Sequence, residues 1–159
     1  MKILRSGHCW RCGRFTLGKE GRQRHTCGVC RAYLTRPGAI TLAEAQGFCE
    51  RIARLYHVPC RVKVLRRSGF FYGRNPRVHV IAIHRIVPGS RPRRCFILLH
   101  FRRFRYCRAV AFWKLLQTMI HEISHHFEKS EGGRGHGNRW RSQCSSFARE
   151  WGLSLKHCW

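Results

Sequence analysis

The sequence predicts an α+β fold with a small cysteine-rich module in front of it. Two CxxC pairs fall within residues 1–36. One pattern of apolar residues at helical spacing then precedes three β-branched or apolar runs, and two more helical patterns follow. We therefore expect a ribbon in residues 1–36 and one α+β domain in residues 40–159, joined by the short linker Arg36-Pro37-Gly38.

Four cysteines define the first element. Cys9-Trp-Arg-Cys12 and Cys27-Gly-Val-Cys30 form the pattern CxxC-x14-CxxC. Four thiolates at this spacing are typical of a structural zinc site, in which protein ligands fill every coordination position. A redox-active CxxC or a disulfide pair is the alternative. We predict a zinc ribbon in which Cys9, Cys12, Cys27 and Cys30 hold one Zn²⁺.

The next element is a helix that begins after Thr41 and ends before Pro59. Thr41 and Glu44 have the spacing of a capping box, in which each side chain bonds the other residue's backbone N–H. Apolar residues then recur on one face. That face comprises Leu42, Ala45, Phe48, Cys49, Ile52, Leu55 and Tyr56.

Three strands are predicted at Arg61–Leu65, Arg77–Val87 and Cys95–Phe101. Segments rich in Gly, Pro, Asn and Ser separate them, as is typical of turns. We expect the three strands to form a small antiparallel sheet.

A long amphipathic helix follows, between Tyr106 and Lys129. Its buried stripe comprises Trp113, Leu116, Ile120, Ile123 and Phe127. At 100° per residue, His121 and His125 lie within about 40° of each other and about 140° from that stripe. They belong to the segment His121-Glu122-Ile123-Ser124-His125, an HExxH motif, which gives a Zn²⁺ ion two imidazole ligands and places Glu122 where it can act as general base. His126 points elsewhere and is interpreted as a surface residue.

A catalytic zinc site needs a third protein ligand and an open position. His136 is the best candidate, because the glycine-rich run before it can turn the chain back towards the helix. Glu128, Glu131 and Glu150 are weaker alternatives. Asn138 is then expected to cap a last helix that ends at Gly152. The buried face of that helix comprises Trp140, Cys144, Phe147 and Trp151.

HEISH followed by HGNRW resembles the HExxH…HGxxW/F pattern of the SprT-like zinc metalloproteases, over roughly residues 40 to 155. The resemblance implies a minimal zincin-type core in which His121, His125 and His136 bind the catalytic zinc and Glu122 is the general base. It also implies association with DNA and cleavage of proteins crosslinked to DNA. The cysteine pairs are a further likeness, although a ribbon in this family usually follows the protease domain and here it precedes it.

Charge points to a polyanionic partner. The chain carries a net charge of +25, with 32 Lys and Arg against 7 acidic residues, and basic residues concentrate in the ribbon and in residues 58–108. We expect binding to DNA, including single strands, with aromatic rings at Phe70 to Tyr72 as stacking surfaces. The residues predicted to contact nucleic acid are Trp10, Arg11, Arg14, Arg22, Arg24, Arg66, Arg67 and Arg74.

The sequence favours an intracellular protein. It has no run of about 18 apolar residues and no signal-peptide pattern at its N-terminus. Six cysteines outside the ribbon show no paired spacing, so buried thiols in a reducing cytoplasm are expected, on the nucleoid if the cell is bacterial. These are Cys49, Cys60, Cys95, Cys107, Cys144 and Cys158.

Peptide hydrolysis is the predicted activity, with one catalytic and one structural Zn²⁺, and with protein substrates bound to DNA. The rival hypothesis is a non-catalytic nucleic-acid-binding protein whose HExxH zinc is structural and closed by a fourth ligand such as His100, His126 or His157. A zinc-ribbon regulator of transcription would leave the HExxH and HGNRW segments unexplained.

Overall fold

A computed structural model describes residues 8–14, 26–65, 80–86, 95–101, 107–130 and 136–153. Within these ranges the chain forms a short helix, a longer helix, three strands and two further helices. They are α1 (Gly28–Thr35), α2 (Leu42–Leu55), β1 (Arg61–Leu65), β2 (Val80–Ile86), β3 (Cys95–Phe101), α3 (Arg108–Ser130) and α4 (Asn138–Glu150). The predicted order of helix, three strands and two helices is confirmed, and no described helix is long and apolar enough to cross a bilayer.

Helix α2 begins at the predicted capping box. Thr41 Oγ1 accepts the N–H of Glu44 at 3.2 Å, and Glu44 Oε2 accepts the N–H of Thr41 at 2.6 Å. The helix ends at Leu55, ahead of His57, whose φ of 52° lies in the left-handed region. The predicted apolar face is buried at Ala45, Phe48, Cys49, Ile52 and Tyr56, and Leu42 and Leu55 are partly buried against it.

The sheet is mixed, with the order β1-β3-β2. Strands β2 and β3 pair antiparallel as predicted, but β1 pairs parallel to β3. The prediction of a purely antiparallel sheet was therefore wrong for β1. Parallel neighbours need a connection of a dozen or more residues, and the chain from Leu65 to Cys95 supplies one that contains β2 itself. The ends predicted for β2 at 77–79 and 87 lie outside the described residues.

A side chain from α2 occupies the outer edge of β1. Gln46 Nε2 donates to the carbonyl of Val62 at 2.8 Å, and Gln46 Oε1 accepts the N–H of Val64 at 2.7 Å. The amide group thus pairs with β1 as a neighbouring strand would. Gln46 Nε2 also donates to Glu50 Oε1 at 2.7 Å, so both of its hydrogens are used. This pairing fixes α2 along the sheet.

Helix α3 supports the core. Leu116, Ile120 and Ile123 of its predicted stripe are fully buried, and Trp113 and Phe127 are partly buried. Helix α4 packs against it with the predicted face of Trp140, Cys144, Phe147 and Trp151, all buried. Asn138 is the first helical residue and not the cap, because Gly137 takes the extended N-cap conformation without a side-chain bond. Helix α4 ends at Glu150, and Gly152, the predicted end of the helix, takes a left-handed φ of 62°.

The N-terminal module shares this core. Trp10 is 6 % exposed and makes edge-on ring contacts with Phe48 of α2 and Trp113 of α3, at centroid distances of 6.1 and 5.8 Å. Arg51 Nη2 donates to the carbonyl of Trp10. One apolar core therefore extends across the boundary predicted between residues 36 and 40.

The second cysteine pair opens a helix that the sequence did not predict. Cys27 is the N-cap of α1, and its Sγ accepts the N–H of Cys30 at 3.4 Å. A ribbon was expected across residues 1–36, yet Gly28–Thr35 is helical. Helix α1 spans only eight residues, and its core-facing side chains Cys30, Tyr33 and Leu34 make too short a pattern to identify a helix in a sequence.

Candidate metal centres

Three histidines from two segments converge on one point. His121 and His125 lie one turn apart on α3, and His136 precedes the first residue of α4 by two positions. The Nε2 atoms of His121 and His125 are 3.2 Å apart, and the Nε2 atom of His136 lies 3.1 Å from that of His125 and 3.2 Å from that of His121. The structure thus brings together the three residues predicted as ligands of a catalytic metal.

Hydrogen bonding cannot account for this triangle. A ring nitrogen of neutral imidazole either carries a proton and donates or carries a lone pair and accepts, so three Nε2 atoms cannot satisfy all three contacts with one another. A shared cation can. Two nitrogens bound at about 2.0–2.1 Å to one tetrahedral zinc ion lie about 3.3–3.4 Å apart, close to the distances seen here. The histidines form a group that can hold a metal ion.

The ring of Trp140 packs against all three imidazoles of the histidine cluster, which comprises His121, His125 and His136. Its ring lies 4.7 Å from that of His121, 5.2 Å from that of His125 and 4.6 Å from that of His136, measured between centroids. Its Nε1 donates to the carbonyl of His121 at 3.4 Å, and the side chain is fully buried. The sequence placed Trp140 on the buried face of α4 but did not reveal that it touches all three imidazoles. The HGNRW spacing, which puts Trp140 one helical turn after His136, was the available signal.

Glu122 lies beside the cluster in a nearly closed environment. Its side chain is buried, and its Oε1 is 3.9 Å from His121 Nε2. The neighbouring positions of the motif are structural, since Ile123 and Ser124 are fully buried and Ser124 Oγ donates to the carbonyl of Ile120 at 2.7 Å. Glu122 is therefore the carboxylate within reach of a group held by the three imidazoles.

The other acidic residues considered as third ligands do not join the cluster. Glu128 is buried next to His125, but its Oε2 approaches Nδ1 at 3.7 Å, on the ring edge away from the other histidines. Glu150 Oε2 instead lies 3.5 Å from the hydroxyl of Tyr56, which donates to it. Glu131 lies outside the described residues.

Among the residues that the structure describes, no fourth His, Cys, Asp or Glu belongs to the histidine group. His126, interpreted from the sequence as a surface residue, is half-buried, and its Nδ1 is 3.4 Å from Cys60 Sγ. Burial lowers the pKa of His126 below its usual value. The side chain of His100 and all of His157 fall outside the described part of the chain.

The four cysteines predicted as a zinc site also converge. Their Sγ atoms lie within 4.8 Å of one another, and those of Cys12 and Cys27 are 3.8 Å apart. Sulfurs bound at about 2.3 Å to one tetrahedral zinc ion are about 3.8 Å apart, so this cysteine cluster also fits the ion. Gly13 turns the first knuckle with a φ of 75°, and its N–H bonds the carbonyl of Cys9 at 2.8 Å.

Backbone N–H groups stabilise the thiolate form of Cys9, which is the form that binds a metal ion. Burial alone would raise the pKa of Cys9, but backbone N–H groups of Cys12, Cys27 and Arg11 outweigh it and lower that pKa to about 7. For Cys30 burial dominates and raises the pKa to about 12. A thiol of this kind loses its proton when a metal binds.

Arg11 and Arg51 place positive charge next to these thiols. Arg11 Nη1 donates to Cys30 Sγ at 3.4 Å, and its guanidinium stacks on the rings of Tyr33 and Phe112 at 3.9 and 4.7 Å. Burial lowers the pKa of Arg51, and the thiols of Cys12, Cys9 and Cys30 oppose that shift. Two of the chain's many arginines thus interact with the thiols of the cysteine cluster.

The residues predicted to contact nucleic acid fall into three groups. Trp10 is buried in the core, so the prediction that it contacts nucleic acid was wrong. Arg11 is half-buried and its guanidinium is engaged, whereas Arg14 is exposed. The remainder lie outside the described residues, namely Arg22, Arg24, Arg66, Arg67, Arg74 and Phe70 to Tyr72.

The remaining cysteines agree only in part with the expectation of buried thiols. Cys49 and Cys144 are buried and outside any disulfide, and Cys107 is exposed and also outside any disulfide. Cys60 is disulfide-bonded, which contradicts the expectation for that residue. The side chain of Cys95 and all of Cys158 lie outside the described part of the chain.

Comparison with known proteins adds no family assignment. No protein-family model, curated protein or solved structure matches this chain. The two clusters and their surroundings are therefore the basis on which a function is inferred.

Proposed function

We propose that this chain is a DNA-associated zinc metallopeptidase of the SprT-like type, which hydrolyses peptide bonds in proteins bound or crosslinked to DNA. One observation carries the proposal. Three imidazole nitrogens lie 3.1–3.2 Å apart with the carboxylate of Glu122 next to them. Three imidazoles with an adjacent glutamate are the composition of a catalytic zinc site. The pairing of HEISH with HGNRW supports the family.

Each residue of the site has a defined part in this reaction. His121, His125 and His136 would hold the ion, and Trp140 packs against the three rings. A bound zinc ion supplies Lewis-acid activation of the scissile carbonyl and of the attacking water. Glu122 accepts the proton of that water and delivers it to the leaving nitrogen. Burial of Glu122 keeps bulk water from competing for the same proton.

The sheet offers one edge for an extended substrate. Strand β2 is an edge strand of the described sheet and packs against α3, which carries the HExxH motif. The opposite edge, β1, is occupied by the amide of Gln46. Main-chain pairing with β2 would hold a peptide with little sequence preference, which suits a protease whose substrates share only their location on DNA.

Charge supports the DNA partner. A net charge of +25 gives a strong and salt-dependent attraction to phosphates. Described arginines such as Arg14, Arg31, Arg36, Arg139 and Arg141 have exposed side chains. DNA that binds both the enzyme and a target protein raises their effective concentration, so cleavage should be stimulated by DNA. Zinc in the cysteine cluster would be structural, and the reaction would take place in the cytoplasm.

The test compares wild type with Glu122→Gln, which removes the proton acceptor but keeps the shape of the side chain. A DNA-binding protein serves as substrate, with and without single- and double-stranded DNA, while zinc content is measured. Glu150→Gln is the matched control, because it makes the same change at a helical glutamate next to Tyr56. We expect DNA-stimulated cleavage by wild type and control, and a loss of about 10²-fold or more in Glu122→Gln with its zinc retained.

Other results would change the assignment. No cleavage by wild type, combined with tight DNA binding and full zinc content, would favour the non-catalytic nucleic-acid-binding protein. Cleavage that survives Glu122→Gln would show that another group accepts the proton. Cleavage independent of DNA at physiological salt would retain the peptidase and remove DNA as its partner.

A further inference from the structure

Glu128 lies about one turn of α3 beyond His125, at the edge of the His125 ring that faces away from His121 and His136. His125 presents Nε2 to His121 and His136, at 3.2 and 3.1 Å, and its Nδ1 faces Glu128 Oε2 at 3.7 Å. Glu128 is 3 % exposed. One imidazole thus lies between the proposed metal position and a buried carboxylate.

Burying a carboxylate is costly unless a cation or hydrogen-bond donor compensates for the lost water. Among the described residues only two acidic side chains are buried, Glu122 and Glu128, and both adjoin the histidine cluster. Within the part of the chain that the structure describes, Glu128 Oε2 has no hydrogen-bond donor within bonding distance, and its ion-pair contact is to His125. Among the described side chains, the charged partner of Glu128 is therefore Nδ1 of His125, a proposed metal ligand.

We propose that Glu128 is the positioning residue of the histidine site. Its carboxylate holds the Nδ1–H form of His125, so that the lone pair of Nε2 faces the ion, and its negative charge makes that imidazole a stronger ligand. This inference rests on the proposed metal site. The 3.7 Å contact exceeds a hydrogen bond, and we expect it to close to hydrogen-bond length in the zinc-loaded chain.

The chain offers few alternatives for this role. It contains no Asp and seven Glu. Glu122 takes the proton-transfer position, and Glu150 contacts Tyr56 on another part of the core. The spacing of His125 and Glu128 is i, i+3 on one helix, which places the two side chains on the same face.

The test uses Glu128→Leu and Glu128→Gln in the full-length chain, with Glu150→Gln as the matched control. The affinity of the histidine site for zinc is measured by competition with a chelator while the cysteine cluster stays loaded. Thermal unfolding is followed with the histidine site empty. The tautomer of His125 in the zinc-loaded chain is read by ¹⁵N NMR.

For Glu128→Leu, the zinc affinity should fall while the unfolding temperature of the chain with an empty histidine site should not. Leucine removes a buried charge, so the chain with an empty histidine site should unfold at an equal or higher temperature. Zinc affinity should fall by about 10- to 100-fold. Glu128→Gln keeps a carbonyl oxygen that can accept from Nδ1–H, so its loss should be smaller, and Glu150→Gln should match wild type.

Zinc affinities of both Glu128 variants within about twofold of wild type would overturn the inference and leave the metal site standing. Parallel losses of zinc affinity and of stability with the histidine site empty would also overturn it, because they would indicate a packing role. A wild-type chain that binds no zinc outside the cysteine cluster would overturn both the inference and the proposed function. His125→Ala, which should abolish the second zinc, distinguishes these cases.

Discussion

Replacing Trp10 by Ala tests whether the cysteine module and the HExxH helix unfold together. Trp10 lies between Cys9 and Cys12, yet its ring is 6 % exposed and packs edge-on against Phe48 and Trp113. Its Nε1 also donates to Thr26 Oγ1 at 3.0 Å. The substitution therefore removes an apolar contact that joins the module to α2 and α3.

The expected cost follows from this burial. Truncating a buried Trp to Ala removes its apolar area and leaves a cavity, at about 3–5 kcal/mol. For a chain of 159 residues, each kcal/mol lowers the midpoint of thermal unfolding by about 2–4 °C, so a fall of about 10 °C is predicted. That loss is a substantial share of the free energy of unfolding of a typical protein, about 5–15 kcal/mol.

The assay is thermal unfolding followed by circular dichroism in saturating zinc, with DNA affinity measured in parallel. Val29→Ala is the control, because Val29 belongs to the same module but is 67 % exposed, and it should change stability by less than about 0.5 kcal/mol. A single transition shifted down by about 10 °C would support one shared core. An unchanged midpoint, or an early transition confined to the module, would refute the reasoning.

Three further predictions concern side chains around the core. Replacing Arg11 by Met removes its hydrogen bond to Cys30 of the cysteine cluster. A chelator should then extract zinc from this cluster about tenfold more readily than it does in the Arg14→Met control. Equal extraction from the two variants would contradict this prediction. Although burial opposes it, hydrogen bonding lowers the pKa of Glu44 below 4.5. The stabilisation from these hydrogen bonds is therefore complete above 4.5 and is lost as pH falls through the lowered pKa of Glu44. The urea midpoints of wild type and Glu44→Gln should therefore differ at pH 7 and converge in acid. Tyr56→Phe removes the acceptor of Trp151 Nε1, bonded at 2.6 Å, and should cost about 1–3 kcal/mol in denaturant unfolding; a cost near zero would mean that the indole finds another partner.

Local signals in the sequence predicted most of the helices and the convergence of the site. The capping box at Thr41 and the apolar stripes of α2, α3 and α4 set the helices, because helical periodicity depends only on neighbouring residues. His121 and His125 share a helix, so their proximity followed from spacing alone. The proximity of His136 required the chain to turn back, which the glycine-rich run before it made predictable.

Long-range contacts explain what the sequence did not reveal. The parallel pairing of β1 with β3 depends on which strand enters the middle of the sheet, and no local pattern encodes that choice. Trp10 looked like an exposed ring in a basic module, but Phe48 and Trp113, distant in sequence, bury it. Helix α1 begins at cysteines of the cluster and is only eight residues long, shorter than the stretch in which helical periodicity is recognised. Glu128 was considered as a ligand because sequence spacing does not tell which edge of the His125 ring it faces.

The most direct test of the central claim is the zinc content of the purified chain and of two histidine variants. His136→Ala removes one corner of the Nε2 triangle, and His126→Ala removes a neighbouring histidine that contacts Cys60. We predict two zinc ions per chain in wild type and in His126→Ala, and one in His136→Ala, which retains the ion of the cysteine cluster. One zinc ion per chain in all three proteins would contradict the account, because the three imidazoles would then have no metal to hold.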